Sequence, residues 1–420
     1  MAFACKHCIR ALFDRVNPMH RRMLAIVLSV AVAGFAAAPP ALGMATSVDD
    51  PMSAAVGDLC SSDVALIGEG GNHGDGRSLA FKAALVQRLV EQCHFDAIVF
   101  EASSYDFLEI DRRLRRGEPV TRAMLSSAVG GLWNRNDEIQ PLITWMHESL
   151  VAGRVQLGGM DDQLGSAGAF YSIAGMPTEL GGLLASDRGD VCRAVMRQLI
   201  YGQLGTSPAE QAPLVACLSE IRHAVEAMPE SRDRDSRLQN LANIDRYVSR
   251  QGMDSAAYVE GRSHSMWLNY RWWVDNRFPR GSRVIVWGAT AHLSRKARAF
   301  PPFATTTNFG SYIDRTYGDR AFFLGFGAAS GTYMEGGQVR DRPQAAPESL
   351  EGVALAGSGA DLVYLGQADL QRFGQRSATV FSPVPVVAPW SEVVDGLIVF
   401  REERAPTRSP PGQTRENSGL

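Results

Sequence analysis

Four apolar runs of this chain each end in an ionisable residue. "VALIGE" (64–69) ends in Glu69, "DAIVFE" (96–101) in Glu101, "VQLGGMD" (155–161) in Asp161 and "SRVIVWGATAH" (282–292) in His292. Ligands of open α/β sheets bind outside the carboxyl ends of the strands. Neighbouring parallel strands would therefore gather three carboxylates, His292 and His73 along one edge. The first run leads into "GEGGNHGDG", where Glu69 and His73 stand among Gly70, Gly71, Gly74 and Gly76. Such glycines let the backbone approach a ligand closely or take a positive φ. A glycine-rich turn between strand and helix also suits phosphate, but this one has neither G-x-G-x-x-G nor G-x-x-x-x-G-K, and an acid in it repels phosphate. Taken singly, each residue has a plainer role: Glu69 as a helix cap, His73 as an exposed loop residue, Asp161 and Asp162 as turn caps. Together they read as a polar cleft fit for acid–base chemistry.

Elements must hold those groups in place. Three further runs, "RAFFLGF" (320–326), "ADLVYLG" (360–366) and "VDGLIVF" (394–400), share the continuously apolar pattern of strands covered on both faces. Between the first two runs lies "SLAFKAALVQRLVEQC", a helix with Phe81, Leu85 and Leu89 on one face. Strand, helix, strand is a βαβ unit. The expected fold class is α/β, a mostly parallel central sheet flanked by helices. From 178 to 276 strand-like runs give way to helical periodicity, which predicts an inserted helical subdomain. The catalytic core is then 46–177 and 277–402. Residues 403–420, rich in Pro, Ser and Arg, read as a disordered tail. In "GLWNRNDEIQPLITWM", Trp133, Leu142 and Trp145 read as core, with Glu138 able to face the strand edge. Trp267, Trp272 and Trp273 read as packing.

The 420 residues are 45% hydrophobic and 21% charged with net charge -3, a globular composition without the electrostatic footprint of a nucleic-acid binder. Arg21 and Arg22, an apolar run from Met23 to Ala38 and small residues at 41–45 have the layout of a secretory signal peptide, so 1–45 is a leader and the start is Met19 or Met23. The apolar run is shorter than the ~20 residues of a spanning helix, and no stable membrane span is expected once the leader is removed. The protein is thus expected in the periplasm or outside the cell. Cys5 and Cys8 lie ahead of the signal-like stretch that starts at Met19 or Met23. The other four fit two disulfides, Cys60–Cys93 and Cys192–Cys217, with four buried thiols as the alternative. No G-x-S-x-G elbow occurs.

The run "LIGEGGNHGDGRSLAFKAALVQRLVEQCHFDAIVFEAS" resembles the opening signature of the erythromycin esterase family: a G-E turn, H-G, a helix with a basic residue, and a strand ending E-A. "WNRNDEIQPLITWM" is similar to its Trp-x-x-x-x-Glu helix and "LGGMDDQ" to its G-x-D strand end. "EGRSHSMWLN" resembles its Arg-x-x-x-Met helix, and "VIVWGATAHLS" its W-x-H-N-x-H strand. "GSYIDRTYG" and "VDGLIVF" match later landmarks, so the resemblance spans about 64–401. It implies a metal-independent hydrolase that opens a macrolide's lactone ester by water attack. His73 takes the family's general-base position, with Glu69, Glu101 and His292 on its other catalytic positions. Lys82, Glu138, Asp161 and Arg262 fall to substrate binding. No cofactor and no metal are implied; the partner is a small ester or lactone.

The chemistry also stands by itself. A histidine near its natural pKa can take a proton from water at pH 7. A carboxylate, Glu69 or Glu101, would fix its tautomer. Lys82, Arg262 or His292 would meet the developing oxyanion. Two departures from the family pattern stand out. Glu69 and His73 are four apart rather than three, with an extra glycine. Ala289 replaces the first histidine of H-N-x-H, which leaves macrolide activity open. Two other readings remain: a metal- or haem-binding protein of similar fold, since mixed carboxylates and histidines suit a divalent ion, and a member that binds a ligand without turnover.

Overall fold

The computed structural model describes residues 50–164 and 170–408; the leader, Cys5 and Cys8 lie outside them. In chain order the strands are β1 (Val64–Glu69), β2 (Ala97–Ser103), β3 (Gln156–Asp161), β4 (Val284–Ala289), β5 (Ala321–Ala328), β6 (Gly331–Glu335), β7 (Gln338–Arg342), β8 (Leu362–Leu365), β9 (Gln375–Ala378), β10 (Val386–Pro389) and β11 (Gly396–Phe400). All seven apolar runs fall in one sheet, ordered β3-β2-β4-β1-β5-β11-β8. Every pairing is parallel except β11 with β8. The pattern is informative because β1, β2, β4 and β11 are buried along their whole length, which favours apolar residues on both faces. The hairpins β6–β7 and β9–β10 are short and mostly half-buried or exposed, and they carry no such pattern.

Helix α1 (Pro51–Leu59) precedes β1, and α2 (Gly76–Cys93) links β1 to β2. Cys60 is bonded to Cys93, with Cα atoms 5.1 Å apart. Between β3 and β4 run α3 (Gly175–Gly181), α4 (Ser186–Ile200), α5 (Pro208–Glu226), α6 (Arg232–Ser249) and α7 (Ser255–Asn276). The first four build a second core around Met196, Leu214, Ile221 and Leu241, in which Cys192 is bonded to Cys217. Helix α7 departs from the insertion expected over 178–276. Its Met266, Tyr270 and Trp273 join the main core, and Trp273 Nε1 donates to Gly159 O of β3 at 2.9 Å. Among the described residues no helix is long and apolar enough to cross a membrane. Composition assigns 403–408 to a disordered tail. They instead form an ordered strap, bridged to Gly331 at Glu403 and to Asn136 at Arg408; 409–420 lie outside the described residues.

Candidate active site

The β1 strand ends in Glu69, which is fully buried. A turn follows, closed by His73 N–H donating to Gly70 O at 2.9 Å. His73 has φ 51°, in the left-handed region that costs a non-glycine residue about 1–2 kcal/mol. That conformation takes up the extra glycine: His73 Nδ1 lies 2.9 Å from Glu69 Oε1. The four glycines do something other than expected, since none has a positive φ. Two of them admit the protein's own backbone. A Cβ on Gly74 would strike the Met334 carbonyl, and one on Gly76 would lie 2.8 Å from Pro406 Cα.

Trp133 and Lys82 complete this wall. Trp133 Nε1 donates to the same Glu69 oxygen at 2.7 Å, and its ring stands edge-on to His73 at 5.1 Å. Lys82 ion-pairs with Glu69 Oε2, sits 4.0 Å from the centre of the Trp287 ring and is fully buried. Its ammonium is thus taken up within the protein, by Glu69. Burial pushes its ammonium well below the usual range, against the pull of Glu101.

The sheet order makes β3, β2, β4 and β1 successive neighbours, so Asp161, Glu101, His292 and Glu69 share one edge. Arg262, from α7, ties the second wall together. It donates to Asp161 Oδ2 at 2.7 Å and Oδ1 at 3.3 Å, to Glu101 Oε1 at 3.0 Å, and to His292 Nε2 at 2.9 Å. Glu101 Oε2 accepts Ala289 N–H at 2.8 Å. Burial alone would raise the Glu101 pKa, but His292, Arg262, His73 and the Ala289 N–H bring it to about 2. His292 is pushed down to about 4, first by burial and further by Arg262, against Glu101. It is therefore neutral at pH 7. Because Nε2 accepts from Arg262, its proton sits on Nδ1, a buried atom with no partner. His73 is also lowered, mainly by burial.

Glu138 does not join the cleft. Its carboxylate accepts Thr407 N–H at 2.9 and 3.2 Å. A guanidinium already fills the space among Asp161, Glu101 and His292 that a cation would take. Among the described residues no three His, Cys, Asp or Glu side chains are grouped to hold a metal ion. Sequence reasoning missed Trp133 as a polar participant, because a tryptophan in an apolar helical pattern reads as core. It also missed a buried cluster beside the turn: Arg342 donating to Asp75 at 2.6 Å, and Glu403 on α2. Those residues are far apart in the chain and leave no local signal.

The erythromycin esterase family model matches residues 90–381. This stretch holds Glu101, Asp161, Arg262 and His292 but not Glu69, His73 or Lys82. Three solved structures resemble the fold. A protein from Bacillus cereus is 16% identical with a TM-score of 0.65, over 84% of this chain and 92% of its own. A succinoglycan biosynthesis protein is 13% identical, also at 0.65, over 86% and 93%. A mutant of the erythromycin esterase EreC in its open conformation is 13% identical at 0.61, over 85% and 94%. No curated protein matches the chain.

Proposed function

The chain belongs to the erythromycin esterase family, and from that premise we propose that it hydrolyses a carboxylic ester or lactone by direct attack of water, with His73 as general base. The observation that carries this reading is the Glu69–His73 contact at 2.9 Å. An ionised Glu69 accepts from Nδ1–H, which leaves the lone pair on Nε2. Water attacks the carbonyl carbon as His73 Nε2 takes its proton. The oxyanion that forms is met by N–H donors of the second wall. Arg262 has five, of which four are used within the protein, and His292 has Nδ1–H. Collapse of the intermediate breaks the ester C–O bond, and the departing alkoxide takes the proton back from His73. Acid and alcohol are the products.

The test is an ester and lactone panel, macrolides included, read by the mass gain of one water. Replacing His73 by Ala should cost about 100-fold or more in kcat; unchanged activity in that variant sinks the assignment. Because the His73 pKa is lowered, the base stays unprotonated further into acid, so the acid limb of kcat/KM should lie below pH 6.5. Ala289, where the family pattern has histidine, favours a second reading in which the cleft binds a ligand without turnover; binding by calorimetry with no product would support it. The leader's layout and the two disulfides support export to the periplasm or beyond, which cell fractionation checks.

A further inference from the structure

The segments that carry His73 and Trp133 lie far apart in sequence, yet one stretch of chain fastens both. The strap 403–408 begins at Glu403, which is 1% exposed. Its carboxylate accepts Arg77 N–H at 2.6 Å, Ser78 N–H at 3.2 Å and Ser78 O–H at 2.7 Å, and Arg404 O accepts Gly76 N–H at 2.7 Å. These are the first turn of α2, three to five residues beyond His73. A helix start has unpaired N–H groups that favour a carboxylate. Asp75, the residue placed to cap this one, makes no side-chain cap bond and is held by Arg342 instead. The cap therefore comes from 326 residues further along the chain.

The other end of the strap holds the tryptophan. Thr407 O accepts Asp137 N–H at 2.9 Å, Thr407 N–H donates to Glu138, and Arg408 Nε donates to Asn136 Oδ1 at 3.2 Å. Asn136 N–H in turn donates to Trp133 O at 2.9 Å. Between these ends Thr332 grips the strap, donating its N–H to Glu403 O at 2.9 Å and accepting Ala405 N–H on Oγ1 at 3.0 Å. Gly76 has no side chain where Pro406 crosses it.

We propose that the strap 403–408 is a clamp that positions the Glu69–His73–Trp133 group, with Glu403 as its anchor. Glu403 acts as a positioning residue: it touches neither His73 nor Glu69 and works through the two segments it joins. Its effect on turnover rests on the reading of His73 as base, whereas the clamp itself does not. The strap lies beyond residue 381, where the family match ends.

The test compares the full chain with chains ending at 408 and at 402, and with Glu403→Ala and Glu403→Gln. The first readout is amide exchange over 70–78 and 131–138, and the second is the NMR titration of His73. The chain ending at 408 should match the full one. The chain ending at 402 and Glu403→Ala should exchange about tenfold faster in both segments, with β2 and β4 unchanged, and the His73 titration should move. Glu403→Gln, which keeps one acceptor oxygen and the packing, should fall between and covers the case in which the others do not fold. On any ester that is turned over, kcat should fall about 10- to 100-fold with KM nearly constant. Unchanged exchange and an unmoved His73 titration in Glu403→Gln and Glu403→Ala overturn the clamp. Equal loosening of β2 and β4 also overturns it, since that marks general destabilisation. If no protein in the set hydrolyses any ester, the function reading fails while exchange and titration still decide the clamp.

Discussion

The two histidines at this sheet edge are held by different sets of neighbours. His73 faces a carboxylate, with Nδ1 on Glu69. His292 stands between charges, with Nε2 accepting from Arg262 and Glu101 Oε1 3.5 Å from the same nitrogen. A carboxylate backs an imidazole that must gain a proton, and a guanidinium opposes one. One sheet edge thus presents two imidazoles, both lowered mainly by burial, that differ in their bonded partner: Nδ1 of His73 is tied to a carboxylate, and Nε2 of His292 accepts from a guanidinium. The walls also differ in how they are assembled. The His73 wall comes from 64–82 plus Trp133. The His292 wall draws on four distant segments and has Arg262 as its common partner.

Removing that partner should have the largest effect. Arg262→Met leaves Glu101 and Asp161 buried without their cation, and breaking such a pair costs about 3–5 kcal/mol. His292, freed of the opposing charge, should titrate higher. Denaturant unfolding and histidine NMR measure both, and an unmoved His292 would show that burial alone keeps it neutral. Next comes pH. The folded pKa of His292, about 4, lies below its unfolded value of about 6.5, so the unfolded chain takes the proton first. Its contribution is complete above pH 6.5 and is lost as pH falls towards 4, about 3 kcal/mol at most. Glu101, lowered to about 2, adds a loss from about pH 4.5 downward. Replacing His292 by Gln should flatten the upper window more than replacing His73; the reverse result would invert the comparison. Smallest is Trp133→Phe, which keeps an aromatic ring, though a smaller one, and removes the donor to Glu69. A stability loss of about 1 kcal/mol is expected, with kcat, read in the same assay, down about tenfold or less.

Much of this was legible in the chain because burial on both faces of a sheet leaves a strong local mark. The seven strands show as unbroken apolar runs; Glu69 and Asp161 end theirs as read, whereas β2 runs two residues past Glu101 and His292 sits in the short helical turn that follows β4. What stayed hidden was relational. The spacing of Glu69 and His73 leaves open whether they meet, since a left-handed residue outside glycine decides it. Lys82 reads as a ligand group, yet it is consumed by Glu69. Glu138 sits in a motif of the right look, but its carboxylate serves the strap. Polar composition made 403–408 resemble a loose tail, because hydrogen bonds to another segment's backbone require no apolar pattern.

The Cys60–Cys93 bond occupies the other pole of the sheet. Each cysteine stands four residues before a strand, Cys60 ahead of β1 and Cys93 ahead of β2, and Arg283, just before β4, donates to both of their carbonyls. The staple therefore ties the three strands where they begin, while the proposed catalytic groups sit where they end. Closing a loop of 33 residues contributes about 4 kcal/mol. Endurance and turnover are thereby assigned to opposite margins of one sheet: a reducing environment should shorten the half-life of the protein at elevated temperature and leave its initial rate as it was.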